Sequence, residues 1–468
     1  LSIAKTALAS LMRAAGRADP DFVEFEDGPP ALATRFAADE AAAAAVAAGG
    51  VIAADLWRLR GGDSQGVRVS TREAAAGLVG LTLQRFSDDA RAPTLAFGHA
   101  GKAANGFTRT RDGRSLYLHP SFPESTKRLL ATLGCDDTRE AVVAAVGARE
   151  SWELEDAIAQ AGACAAVART PEEWDASDQG RVMAARPVVE VLKIADSPPE
   201  PLPSRGDKPL SGVRALDLTR VLAGPTCGRT LASYGAEVLL ISGPNLPFVA
   251  PFVSDTSTGK RSAFLDLATA EGRARLRDLV QGADIFTQGY RVGSLDRAGF
   301  GPLDLAALRP GLIYTSINCY GHEGPWRGRP GWEQLAQTAT GMAHMHGELG
   351  QPALQPGAVT DYTTGFLAAF GTLVALHRRA VWGGSYLVRV SLSQTAMWVR
   401  GLGFAGPERL DAVRPFDGDE LRGWMITTEG GYGPMTHLRP PARLDATPTA
   451  WARGSYPLGA HPPAWLDD

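Results

Sequence analysis

Apolar positions in the second half of the chain fall into two alternating periodicities. Short apolar runs, VRALDL (213–218), EVLLI (237–241), DIFTQ (284–288) and LIYTSI (312–317), are separated by stretches with helical spacing at 226–234, 269–281 and 331–343. Strand and helix in this succession predict a parallel sheet with helices on both faces, whose ligands sit at the carboxyl ends of the strands. A further helix opens with Val359-Thr360-Asp361-Tyr362-Thr363-Thr364-Gly365 and closes with His377-Arg378-Arg379. Between them Phe366, Leu367, Phe370, Leu373, Val374 and Leu376 recur at helical spacing, with an acid at the positive end and bases at the negative end. On local sequence Asp361 reads as an N-cap.

The first half repeats part of this pattern. An alanine-rich helix at about 39–60 leads through Gly61-Gly62 to strand Val67-Arg68-Val69 and helix TREAAAGLVGLTLQRF; later, Arg378-Arg379 leads through Gly383-Gly384 to strand Val388-Arg389-Val390 and helix SLSQTAMWVRGLG. An offset of 391 − 70 = 321 residues aligns Ser70 with Ser391, Arg58 with Arg379 and Glu40 with Asp361. The shared VRVS strand and double-Gly turn argue for a duplicated unit rather than chance similarity of two Ala/Leu-rich helices. Between the copies, strands at 115–119 and 164–168 and helices at 124–134, 138–147 and 151–161 predict a small α+β module. DSPPEPLPSRGDKPL is polar, Pro-rich and without periodicity, as in a linker. The expected division is a partial N-terminal copy (1–106), a small α+β domain (107–195), a linker (196–210), an open Rossmann-like parallel-sheet domain (211–404) and an extended tail (405–468). The fold class is α/β.

Composition narrows the chemistry. The chain's 468 residues allow two or three domains, and 44% hydrophobic with 21% charged residues is a soluble globular balance. A net charge of −4 gives no footprint for nucleic acid or an anionic membrane. Four cysteines without a CxxC pair argue against a disulfide framework or a cysteine zinc site and fit a reducing compartment. With no long uninterrupted apolar stretch and no export pattern, a cytoplasmic protein is expected. The turn Asp217–Pro225 lacks the glycine fingerprints for a dinucleotide or an NTP, so NAD is not expected, although its backbone N–H groups could still receive an anion. Lys260, Arg261, Arg291, Arg297, Arg327 and Arg329 fall in loops or at strand ends and could together bind phosphates, although each alone is more often a solvated charge. His322 has no partner that recommends it as a base, no spacing suggests a metal, and there is no G-x-S-x-G elbow. A ligand with a phosphorylated handle and a distal acyl group suits what is left.

The segments GVRALDLTRVLAGPTCGRTLASYGAEVLLI, TGKRSAFLDLATAEGRARL, ADIFTQGYRVGSLDRAGFG, LIYTSINCYGHEGPW, PGWEQLAQTATGM and GAVTDYTTGFLAAFGTLVALHRR resemble, in order and spacing, the family III CoA-transferases. These include the formyl-CoA and carnitine CoA-transferase group and are related to α-methylacyl-CoA racemase. The resemblance implies transfer of CoA from an acyl-CoA to a free carboxylic acid, without metal, through a mixed anhydride and an aspartyl-CoA thioester on Asp361. It implies that the helix N-terminus keeps Asp361 ionised and supplies donors to developing oxyanions, and that Gly365 leaves room for the thioester. Leu222 and Ala223 match the turn at the adenine end, Leu265 a position in the same pocket, and Tyr290 and Arg297 an aromatic and an arginine beside CoA.

The chain also departs from the family pattern. Gly289, Ala268 and Ser242-Gly243 stand where the family carries Asn, Lys and a Glu-plus-base pair, and no Gly-rich flap is evident in 85–120. Lys260, Arg261 and Arg291 could substitute in holding phosphates. The order of the parts resembles a fused, permuted protomer, with Glu40 expected to be structural; family members form interlocked dimers, so a homodimer or the same contacts within one chain could result. The racemase branch needs a His where this chain has Trp332, and Trp cannot transfer a proton. A non-catalytic acyl-CoA binder or structural partner subunit is the third reading, opposed by the intact VTDYTTG. Phe252, Trp326, Trp332, Met342 and Met345 could line an apolar pocket for a bulky acid.

Overall fold

The alternation after residue 210 becomes a seven-stranded sheet in the computed structural model, which describes residues 2–88, 92–93, 102–120, 122–203, 206–347 and 350–466. Its strands are β1 (Glu190–Ala195), β2 (Arg214–Leu218), β3 (Glu237–Ser242), β4 (Lys260–Phe264), β5 (Ile285–Gln288), β6 (Ile313–Asn318) and β7 (Ser385–Ser391). They lie in the order β4-β3-β2-β5-β6-β7-β1, and all are parallel except β1, which runs antiparallel to β7. From β2 to β7 this is the strand order of the doubly wound dinucleotide folds, and a crevice opens at the carboxyl ends of β2 and β5, where the order reverses. The linker separates β1 from the rest of the sheet in sequence, so a strand grouped with the small module on local pattern completes the large sheet instead.

Two helices carry the centre of the molecule. Val359–Trp382 packs against Ala38–Leu59 and Ala223–Ser233. Both the first two are long and apolar enough to cross a membrane, and both are mostly buried in this core. Close approach needs small residues. A Cβ on Gly365 would lie 2.5 Å from the Ala223 carbonyl oxygen and from Thr226 Cβ, so this glycine serves helix packing and not access of a thioester.

The duplication extends to the sheets. Strand Val67–Ser70 has a parallel neighbour, Val23–Glu26, on one side and an antiparallel one, Ala442–Leu444, on the other. Strand β7 lies likewise between parallel β6 and antiparallel β1. Ser70 and Ser391 each end their strand and cap the next helix, accepting the N–H of Glu73 at 3.3 Å and of Gln394 at 3.2 Å. Glu40 is clamped by Arg409 through two 2.9 Å hydrogen bonds, a structural pairing.

The small module forms a three-stranded antiparallel sheet (Gly106–Arg109, Ser115–Leu118, Ala165–Val167) with helices Pro123–Leu133, Arg139–Gly147 and Ser151–Gln160 around its own core. Three expectations change. The helix expected over 331–343 divides into Glu333–Ala339 and Met342–His346 at Gly341, whose φ of +88° no side chain would favour. The helix expected over 71–86 stops at Gly77 and resumes as Gly80–Leu83. The tail is not merely extended: Met425–Gly430 and Gly433–Leu438 form a hairpin that takes Arg85–Phe86 as its third strand, and Trp465 is buried in the large-sheet core. The stretch searched for a flap lies partly outside the described residues.

Candidate active site

Asp361 is not an N-cap. The N-cap position of its helix is Ala358, which has no side chain to offer, and Asp361 is the third helical residue. Capping comes from Glu333, at the start of another helix. Its carboxylate accepts the Thr360 N–H at 3.0 Å, the Thr360 hydroxyl at 2.6 Å and the Asp361 N–H, while Gln337 donates to it as well. A remote carboxylate thus satisfies the donors that the sequence leaves orphaned.

This changes the electrostatics expected of the helix end. Both carboxyl groups are buried, Asp361 at 6% and Glu333 at 4% exposure. Burial pushes the Glu333 carboxyl up too, but its four donors offset part of that, so Glu333 is the member of the pair better placed to hold negative charge. Burial, and then the Glu333 charge, push Asp361 well above the usual carboxylate range. Desolvation and the neighbouring like charge thus favour the protonated acid at Asp361, in opposition to the helix dipole. Nor is the Asp361 N–H available to an oxyanion.

The Asp361 side chain lies where two cavities meet. One, of about 300 Å³, opens at the crevice between β2 and β5 and is lined by Ala223, Gly289, Tyr290 and four arginines, Arg220, Arg291, Arg327 and Arg329. The other, of about 940 Å³, runs between the small module and the large sheet and is lined by Leu78, Tyr117, His119, Leu222, Phe248 and Phe252, among others. Trp332 borders both; it stacks on His119 with centroids 4.8 Å apart and meets Phe122 edge-on at 5.4 Å. Val221 also borders both cavities and holds φ at +72°, a left-handed conformation costly for a β-branched residue and typical of strained functional turns. Among the described residues, no group of three or more His, Cys, Asp or Glu could hold a metal.

The family model described as CoA-transferase family III matches residues 5–199 and again residues 210–420. The chain belongs to this family. It is 36% identical over 255 residues to an acyl-CoA transferase of Gibberella moniliformis (strain M3125 / FGSC 7600), covering 52% of this chain and 45% of that protein. It is 33% identical over 326 residues to acetyl-coenzyme A transferase nodX of Hypoxylon pulicicidum, covering 63% of this chain and 54% of the relative. The solved structure of Rv3272 from Mycobacterium tuberculosis matches with 30% identity and a TM-score of 0.40, over 42% of this chain and 59% of that one. The chain spans about half the length of the curated relatives it matches.

Of the positions carried over from the CoA-transferase family, Asp361, Ala223 and Tyr290 line the smaller cavity, and Asp361 and Leu222 the larger. Leu265 is packed in the core beneath the large sheet, and Arg297 is exposed; neither lines the two cavities. Two cations proposed for phosphates are committed elsewhere. Lys260 is fully buried on β4, bonded to Asp217 and to the Pro225 carbonyl at 2.7 Å each, and Arg261 donates to the Ala464 carbonyl. Arg291, which donates to the Gly162 carbonyl at 3.2 Å, lines the smaller cavity together with Arg220, which donates to the Pro247 carbonyl and which the sequence did not single out. Arg329 is ion-paired with Asp156. His322 faces a separate depression and bonds Ser316, its imidazole pushed down to about 3 by burial. Of the five large apolar residues expected near the site, Phe252 and Trp332 line the larger cavity; Trp326 packs on Trp174 and Tyr320, and Met342 and Met345 join a separate cluster around Phe36.

Sequence reasoning missed Glu333. Its signal was a carboxylate at the head of a helical stretch, EQLAQTATGM, with little other charge; such a group needs a partner if the helix is buried. Nothing local could have announced Val221's backbone, or the arrival of His119 and Phe122 from the small module.

Proposed function

We propose that this chain moves CoA between an acyl-CoA and a free carboxylic acid, with Asp361 as the nucleophile. The observation that carries this reading is the place of the Asp361 carboxyl, buried at the junction of an arginine-lined cavity and an apolar one. The first suits the phosphates and pantetheine arm of CoA, the second the acyl group. In this reading Asp361 first loses its proton to solvent, and its carboxylate then attacks the thioester carbonyl, forming a mixed anhydride and releasing CoA thiolate. The thiolate attacks the aspartyl carbonyl and expels the donor acid, leaving an aspartyl-CoA thioester. The acceptor carboxylate then displaces the thiolate, which takes the acceptor's acyl group and restores Asp361. The relatives named as acyl-CoA and acetyl-coenzyme A transferases support the same class of reaction.

The reading is tested by mass spectrometry after incubation with a panel of acyl-CoAs and hydroxylamine. Conversion of Asp361 to a hydroxamate, absent from Asp361→Ala, supports it; binding of acyl-CoA with no adduct from any donor counts against it. One observation favours a second reading, proton exchange at the α-carbon: His119 stands in the acyl cavity beside Trp332. Burial pushes its imidazole down to about 4, which makes it a weak base. Deuterium incorporation at the α-carbon in D2O would reveal such exchange.

A further inference from the structure

The two cavities that meet at Asp361 differ sharply in charge. The smaller carries four arginine side chains, whereas among the described residues lining the larger there is no lysine or arginine. The larger cavity's ionisable groups are the Asp361–Glu333 pair at its head and Tyr117, Tyr362 and His119 in its wall. Burial keeps the last three neutral near pH 7, the Tyr117 phenol pushed up to about 12, the Tyr362 phenol well above its usual range and the His119 imidazole down to about 4. The remaining wall is mainly apolar: Leu78 and Leu81 from the first copy, Phe122 from the small module, and Phe248, Val249 and Phe252 from the loop and helix after β3. Neutral polar groups interrupt it at Thr82, Thr126 and Gln334, and at Asn105, which accepts from the Tyr117 hydroxyl at 3.4 Å.

From this segregation we infer that the acid handled at Asp361 is a bulky, apolar monocarboxylic acid, neither a short acid nor a dicarboxylate. The inference rests on the CoA-transferase reading and names its substrate class. At about 940 Å³ the cavity is at the upper end of the range that holds drug-sized ligands, roughly 300–1,000 Å³. An acetyl-sized group would leave most of the apolar wall uncovered. The second carboxylate of a dicarboxylic acid would lie in apolar surroundings, with no cation on the described wall and with Glu333's charge nearby. An unpaired buried charge of that kind is strongly disfavoured. An alkyl or ring system gains with each methylene buried, by roughly fourfold in binding.

The test is isotope exchange between each acyl-CoA and its own labelled free acid, catalysed by the full chain, for acetate, hexanoate, decanoate and succinate. Binding of decanoate is measured by titration calorimetry alongside. The expected result is kcat/KM rising about fourfold per methylene from hexanoate toward decanoate, with succinate at least a hundredfold below decanoate. Phe252→Asp should weaken decanoate binding at least tenfold, while Phe252→Leu stays within about threefold; Leu81→Asp replaces the first variant if that one does not fold. Succinate exchanging as fast as decanoate would overturn the inference and leave the transferase reading standing. Decanoate binding that responds to Phe252→Asp, with no exchange for any acid, would uphold the cavity's assignment and sink the transferase reading. A protein that neither binds nor exchanges decanoate would overturn the inference.

Discussion

Glu333 accepts the backbone N–H of Asp361, so the candidate nucleophile is held through its peptide while its carboxyl stays turned to the cavities. The same carboxylate that fixes the helix end also makes Asp361 harder to ionise. Two effects of one residue can be separated by two substitutions. Glu333→Ala leaves buried donors of Thr360, Asp361 and Gln337 without their acceptor and should cost about 1–3 kcal/mol of stability. Glu333→Gln removes the negative charge but retains an acceptor. Because that charge favours protonated Asp361, the acid limb of the pH–rate profile for adduct formation should move to lower pH in this variant. A limb that stays in place would show that Glu333 does not control the ionisation of Asp361.

Asp361→Asn should stabilise the fold at neutral and alkaline pH. The folded-state carboxyl titrates above its unfolded value, so the native state holds its proton where the unfolded state has lost it. The stability contributed by Asp361 is fully present below the ordinary aspartate value, about 3.9, and is lost as pH rises through the folded value. In that window the wild type should lose about 1.4 kcal/mol per pH unit from this group alone. Urea unfolding of the two proteins should therefore diverge with rising pH and converge near pH 3.5. The variant should form no adduct, trading function for stability.

The buried pair Lys260–Asp217 ties β4 to the end of β2, and Asp217 also receives the N–H of Thr219 at 3.0 Å, at the head of the turn that leads to Val221 and Leu222. Lys260→Met would strand a buried carboxylate and should cost about 3–5 kcal/mol in urea unfolding. Adding Asp217→Asn removes that charge and keeps an acceptor for Thr219, so the double variant should recover most of the loss. If it does not, the pair's role is not electrostatic balance.

That pair also marks the limit of what the sequence discloses. Alternating strands and helices, the repeat relating Ser70 to Ser391, and Asp361 at a helix start are written in local pattern, because periodicity and turn residues act over a few positions. Lys260 looked like a loop cation since nothing within its own strand reveals that Asp217, 43 residues earlier, points at it. Glu333 is 28 residues from Asp361 and on a different helix. The acyl cavity is the extreme case: Leu78, Phe122, Phe248 and Asp361 come from four separate segments, and only the finished fold makes them one surface. Leu265 and Arg297 show the converse, since a matching position in sequence does not bring a side chain to the two cavities.

Trp332 separates the arginine-lined cavity from the apolar one, and its ring is fixed by stacking on His119 and by the edge contact with Phe122. On the proposed mechanism such a partition would keep water away from an activated acyl group until the acceptor arrives. Trp332→Ala would join the two spaces beside Asp361 and admit solvent to the proposed aspartyl thioester. Transfer to the acceptor acid should fall at least tenfold, while CoA release without acceptor should rise, both followed chromatographically in one incubation. Trp332→Phe keeps a ring in the gap and should show a smaller change in both. Equal loss of transfer and hydrolysis in the Ala variant would instead mean that Trp332 serves binding alone.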